Sequence, residues 1–177
     1  ALREIGFNRA SMGVQDFNPQ VQEAIHRIQP RAMTQQAIDW MRELGYGSIN
    51  LDLIYGLPKQ TVMSFNRTLE KIVAMNPDRV AIYNYAHLPT LFKPQRRIHE
   101  EELPLPETKL QILGLAIRRL TEAGYVYIGM DHFARPEAGS SAITSPPRAA
   151  VYRTPPSSAR PSARRSFSPP PPTPVSH

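Results

Sequence analysis

The chain of 177 residues contains no cysteine, which excludes a disulfide framework and any zinc ribbon built within it. It has no apolar run approaching the roughly 18 residues that span a bilayer, and "ALREIGFNRA" lacks the charged-then-apolar order of a secretion signal. The expectation is a cytoplasmic chain with no membrane association. Phosphate-cradling glycine motifs are missing as well. "GLPKQT" (56–61) holds Gly, Lys and Thr but not the order G-x-x-x-x-G-K-[ST], and no G-x-G-x-x-G occurs. "HEEEL" (99–103) is not H-E-x-x-H, because position 103 is Leu. No metal site emerges, and the five histidines are read as structural or solvated.

What is present is unevenly distributed. From Glu137 onward the chain is dominated by Pro, Ser, Ala and Arg. Such a segment cannot bury enough apolar area to offset its ordering entropy, so residues 137–177 are expected to be a disordered tail. The tail's five arginines and one glutamate supply +4 of the formal +6, leaving residues 1–136 at +2. The high pI is therefore mostly a property of the tail. With no aromatic-basic motif beside it, the tail is read as a solvated extension with no nucleic-acid partner.

Before the tail, four β-rich stretches stand out: 8–17, 48–56, 79–87 and 125–133. Helical patterns lie between them. Asn18 and Pro19 form an N-cap and N1 pair, Thr34 is placed as the cap of the next helix, and Gly45 and Gly124 close helices at the C′ position. Phe65, Leu69, Ile72 and Val73 make one apolar stripe, ended by Asn76-Pro77, and Leu110, Leu113, Ile117 and Leu120 make another. Alternating strand and helix predict an α/β fold with four parallel strands, right-handed crossovers and both sheet faces covered. Both a (β/α) barrel and an open doubly wound sheet satisfy this order, and in each the ligand sits at the carboxyl ends of the strands. Gln15, Asp16, Asp52, Asn84, His87, Asp131 and His132 fall in the later half of their strands or just beyond. Asp52, in "INLDLIYG", would be an acid carried into an interior, which requires a partner.

Three segments, "GFNRASMGVQDFNPQVQEAIHRIQ", "INLDLIYGLPKQT" with its "NPDRVAIYNYAHLP", and "GYVYIGMDHFARP", resemble the oxygen-independent coproporphyrinogen III oxidase (dehydrogenase) family of radical S-adenosylmethionine enzymes. The resemblance runs from about residue 3 to residue 136. It implies that residues 1–136 are part of a radical-SAM (β/α) barrel, incomplete relative to eight strands. It also implies a [4Fe-4S] cluster on a C-x-x-x-C-x-x-C motif, and reductive cleavage of S-adenosylmethionine to a 5′-deoxyadenosyl radical. Two propionates of coproporphyrinogen III are then oxidatively decarboxylated to vinyl groups, giving protoporphyrinogen IX in haem biosynthesis. Two S-adenosylmethionine molecules per full enzyme are implied, the second contacted by Gln15, Arg27 and Asp52 and the first by Ala86. The electron donor is not read, and the full enzyme is expected to be monomeric.

Read without the resemblance, Gln15 could satisfy backbone groups at a strand end, Arg27 could be a solvated residue on a helix face, and Asp52 could form an internal ion pair. The chain also departs from the family. The cysteine motif and the glycine-rich stretch after it precede the region that residue 1 matches, so the isolated polypeptide is expected to be inactive, a fragment. Its tail is expected to come from a shifted reading frame, a pseudogene or a partial gene, with a naturally evolved linker as the alternative. Two other functions compete: a haem-binding radical-SAM relative, and a non-catalytic Pro-rich interaction protein on a decayed barrel. "YNYAHLP" and "GMDHFARP" favour the dehydrogenase branch.

Overall fold

Alternation of apolar and polar side chains and the helical apolar stripes resolve into one mixed sheet with three long helices packed on one face. The computed structural model describes residues 3–136. The proposed tail, 137–177, lies outside the described residues. The elements run β1 (Arg9–Gln15), α1 (Pro19–Ala24), α2 (Arg31–Glu43), β2 (Ser48–Tyr55), α3 (Val62–Met75), β3 (Arg79–Asn84), α4 (Pro106–Glu122), β4 (Val126–Gly129) and β5 (His132–Ala134), with two short 3-10 turns before α4.

The sheet order is β1-β2-β3-β5-β4. β1, β2 and β3 pair in parallel, with Gly13 opposite Asp52 and Asp52 opposite Ala81. The expected fourth parallel strand is instead a hairpin. β5 pairs antiparallel to both β3 and β4. The reason is local: Gly129, Met130 and Asp131 all take positive φ, of 94°, 49° and 62°, and three consecutive left-handed residues reverse the chain. The Tyr127 and Phe133 rings then meet across the hairpin, tilted by 59° with centroids 5.3 Å apart.

The core lies between one sheet face and the helices. Ile49, Leu51 and Leu53 of β2 and Val80 and Ile82 of β3 meet Ile38 of α2, Phe65, Leu69 and Ile72 of α3, and Ile112, Ala116 and Leu120 of α4. The other face of β2, carrying Asn50, Asp52 and Ile54, is only partly buried. The expected cover on both faces is thus absent over the described residues. A doubly wound sheet would carry helices on both sides, so the one-sided arrangement is that of a barrel wedge, with the open face corresponding to the barrel interior.

Several boundaries differ from expectation. Asn18 caps α1 by accepting from Gln20 N–H at 2.9 Å, but α1 ends at Ala24, and His26 turns the chain with φ 54°. Arg27 therefore sits beyond the helix rather than on its face. α2 starts at Arg31, with Pro30 rather than Thr34 at its cap; Thr34 is buried in the first turn and accepts from Gln29 Nε2 at 3.0 Å. α3 starts with a Thr61–Ser64 capping box and ends on left-handed Asn76. In α4 the buried side is Ile112, Ala116 and Leu120, whereas Leu110 is 70% exposed.

Candidate functional site

The open sheet face holds a recess of about 520 Å³ lined by Ser11, Asn50, Asp52, Arg79, Tyr83 and His132 among others. Asp52 lies within it and is held by neutral donors: Asn50 Nδ2 donates to Oδ1 at 2.6 Å, and the Ser11 hydroxyl donates to Oδ2 at 3.0 Å. Asn50 Nδ2 also donates to Ser11 Oγ at 2.9 Å. These partners orient the carboxylate without neutralising it. Asn50 Oδ1 is a buried acceptor with no hydrogen-bond partner, an arrangement that suits an incoming donor.

Gln15 ends β1 in a left-handed conformation, φ 66°, after a register shift between Gly13 and Gln15. Its side chain folds back over Gly13. A Cβ built on Gly13 would lie 2.5 Å from Gln15 Nε2 and 3.4 Å from Arg27 Nη2. Arg27 reaches the same place from its turn and donates through Nη2 to the Gly13 carbonyl at 2.7 Å and to Gln29 Oε1 at 3.3 Å. Gly13 is the register partner of Asp52. The chain thus brings Gln15 and Arg27 together over Gly13, one strand away from Asp52, and the recess lined by Asp52 is lined by neither of them. Ala86 stands apart on the exposed loop after β3, where its carbonyl accepts from Gln95 Nε2 at 3.1 Å.

Tyr83 and His132 border the recess, with Oη and Nε2 3.4 Å apart and the rings edge-on at 5.9 Å. His132 Nδ1 faces the Met130 carbonyl. A carbonyl only accepts, so Nδ1 carries a proton and Nε2 is the ring nitrogen that faces Tyr83. Burial first, then the charges of Asp52 and Asp131, push the Tyr83 phenol up from its ordinary value. His87 is satisfied elsewhere, by Tyr85 Oη at 2.9 Å and Glu100 at 3.3 Å.

Two residues escaped sequence reasoning as a pair. Asp16 is 0% exposed and Gln60, from "GLPKQT", is 3% exposed, and Gln60 Nε2 donates to Asp16 Oδ2 at 2.7 Å. The signal for Asp16 was its place two residues before the helix cap, where a carboxylate accepts the i+2 amide: Asn18 N–H does so at 2.7 Å. Nothing in the pattern around Gln60 separates it from an exposed loop residue.

Residues 1–72 match the radical SAM superfamily. The chain is 54% identical over 136 residues to the oxygen-independent coproporphyrinogen III oxidase of Escherichia coli, covering 77% of this chain and 30% of that protein. It is 55% identical over 136 residues to that of Pseudomonas aeruginosa, with the same shares. Against that of Thermostichus vulcanus it is 54% identical over 134 residues, 76% of this chain and 41% of the relative. The solved coproporphyrinogen III oxidase of Escherichia coli, described as a radical SAM enzyme, superposes with a TM-score of 0.75 at 54% identity, over 77% of this chain and 31% of that one. An archaeal Elp3 from Methanocaldococcus infernus, 19% identical with a TM-score of 0.52, shares the fold. The chain spans about 30% of the length of most of these curated relatives. Over the three quarters of its length that match, the chain is similar to oxygen-independent coproporphyrinogen III oxidases at more than half identity, and its residues 1–72 match the radical SAM superfamily.

Proposed function

We propose that residues 1–136 form one wedge of the catalytic barrel of a cytoplasmic radical-SAM coproporphyrinogen III oxidase, and that Gln15, Arg27 and Asp52 hold S-adenosylmethionine on its inner face, with Ala86 touching a first molecule of it. The convergence of Gln15 and Arg27 over Gly13, opposite Asp52, carries this reading. The donor set fits the cofactor. A carboxylate held by neutral donors suits an ammonium group, the guanidinium of Arg27 suits a carboxylate through paired hydrogen bonds, and Asn50 Oδ1 lacks a donor. The donor set does not fit a [4Fe-4S] cluster, since the chain has no cysteine and no group of three or more His, Cys, Asp or Glu among the described residues could hold a metal ion.

When bound, S-adenosylmethionine supplies radical chemistry fed by a reductant outside this chain. The chain's own residues bind and orient. Asp52 fixes the cationic end, Arg27 and Gln15 fix the anionic and polar end, and Gly13 leaves the room they occupy. The relatives' names give coproporphyrinogen III as the substrate of those proteins, and the resemblance implies decarboxylation of two of its propionates as the reaction. Among the described residues no helix is long and apolar enough to cross a membrane.

Titration calorimetry of the full chain with S-adenosylmethionine tests the site. Gly13→Ala places a methyl where the far end of Gln15 lies, and a flexible side chain end gives way at little cost to the fold. The variant is expected to bind at least about tenfold more weakly with its unfolding midpoint unchanged, a loss of about 1.4 kcal/mol or more in binding. Unchanged affinity removes Gln15 and Arg27 from the site.

A further inference from the structure

Asp16 makes no contact with the recess, yet it is a fully buried acid whose contacts are donated to it. The Asn18 N–H donates to Oδ1 at 2.7 Å, the Thr68 hydroxyl donates to Oδ1 at 2.5 Å, and Gln60 Nε2 donates to Oδ2 at 2.7 Å. Two of these donors cannot reverse. Thr68 Oγ also accepts from Phe17 N–H at 3.2 Å, whereas the Asn18 backbone N–H can only donate. Gln60 Oε1 accepts from Gly56 N–H at 2.7 Å and Leu57 N–H at 3.2 Å, so its amide must point at Asp16 Oδ2 and at the Ile54 carbonyl, 2.9 Å away. Each carboxyl oxygen of Asp16 thus faces a donor that cannot turn away, Asn18 N–H at Oδ1 and Gln60 Nε2 at Oδ2. Burial pushes the carboxyl up, and the hydrogen bonds from Thr68, Gln60 and the backbone oppose it.

The carboxyl group ties three segments together: the turn after β1, the loop between β2 and α3, and α3 itself. A second brace continues from it. Gln22 Nε2 donates to the carbonyls of Asp16 and Gln29, each at 2.8 Å, Gln22 Oε1 accepts from Gln29 N–H at 3.1 Å, and the Gln22 carbonyl accepts from Arg27 N–H at 2.8 Å. Gln15 immediately precedes Asp16 in its left-handed conformation, and Arg27 hangs on Gln22. We propose that Asp16 is a positioning residue, whose carboxyl group, held by Gln60 and Thr68, fixes Gln15 and Arg27 in register over Gly13. This rests on reading that site as a cofactor site.

The test uses the full chain and three variants, read by nuclear magnetic resonance and by S-adenosylmethionine titration. Asp16→Asn turns an amide toward the Gln60 amide, which cannot rotate away without releasing Gly56 and Leu57. The Gln15 carboxamide and Arg27 guanidinium signals are expected to average, and affinity to fall about tenfold, as for other outer supports of a ligand-holding residue, while the amides of Ile49, Leu51 and Leu53 keep their shifts. In Asp16→Asn/Gln60→Glu the introduced amide donates to the introduced carboxylate while the Ile54 carbonyl loses its donor, so the signals and the affinity are expected to recover in part, above Asp16→Asn. Signals and affinity unchanged in Asp16→Asn overturn the proposal. So does movement of the core-strand amides together with the site signals, the mark of a structural role. Should Asp16→Asn fail to fold, Thr68→Val, which removes one donor at nearly constant volume, is read by the same criteria. A parent chain that binds no S-adenosylmethionine counts against the cofactor reading, while the Gln15 and Arg27 signals still decide the positioning.

Discussion

Asp52 and Asp16 exchange the roles that strand patterning gives them. A period of two tells which side chains share a face, but not which face the helices cover, and so Asp52 reads as the buried acid. It lies instead on the open face beside Ser11 and Asn50, and the acid in the interior is Asp16, one residue past the end of β1. Of the residues expected at the carboxyl ends of the strands, Asp52 and His132 line the recess, and its remaining walls, Arg9, Ser11, Ser48, Asn50 and Arg79, come mostly from the first halves of β1, β2 and β3. That Arg27 meets Gln15 was legible only through resemblance, because the turn that delivers it depends on His26 adopting φ 54°, which nothing in "AIHRIQ" announces. Asp16 also has a consequence for pH. Its folded-state pKa lies above its value in the unfolded chain, so its contribution to stability is complete below about pH 4 and is lost as pH rises through the raised value. Urea denaturation is expected to show the parent losing stability relative to Asp16→Asn as pH increases from about 4, by about 1.4 kcal/mol per unit until ionisation is complete. A difference between the two that does not change with pH would mean that Asp16 titrates as it does in the unfolded chain.

The helices were legible where capping chemistry is local. Asn18-Pro19, Gly45, Gly124 and Asn76 each stand at the turn or cap their residue type favours. Faces were less legible. The stripe Leu110, Leu113, Ile117 and Leu120 satisfies helical spacing, yet α4 rotates to bury Ile112, Ala116 and Leu120, because the small Ala116 allows close approach to the sheet and α3. Ile112 is 0% exposed and Leu110 is 70% exposed. Ile112→Ala is accordingly expected to lower stability by about 2–5 kcal/mol, and Leu110→Ala to change it by no more than about 0.5 kcal/mol, both measured by chemical denaturation. Equal costs would show that α4 packs on its other side. The β4–β5 hairpin escaped because "YVYIGMDHF" reads as one continuous strand. Only the run of left-handed backbone at Gly129, Met130 and Asp131 divides it.

At the scale of the molecule, the βαβ order admits both a barrel and a doubly wound sheet, and the choice falls to where the helices go. Here they pack on one face, leaving the other as a recess of about 520 Å³ with polar walls. That one-sidedness is the arrangement the proposed barrel wedge requires, and the chain spans about 30% of the length of most of the relatives it matches. The most direct measurement is therefore made within a whole barrel. Residues 3–136 replace the matching segment of the Escherichia coli coproporphyrinogen III oxidase, and the anaerobic conversion of coproporphyrinogen III is followed by chromatography of the oxidised porphyrins. The account predicts that the chimera forms protoporphyrinogen IX, and that Asp52→Ala within it abolishes product while leaving its thermal unfolding unchanged. A chimera that folds, carries its cluster and binds S-adenosylmethionine, yet forms no decarboxylated product, would contradict it.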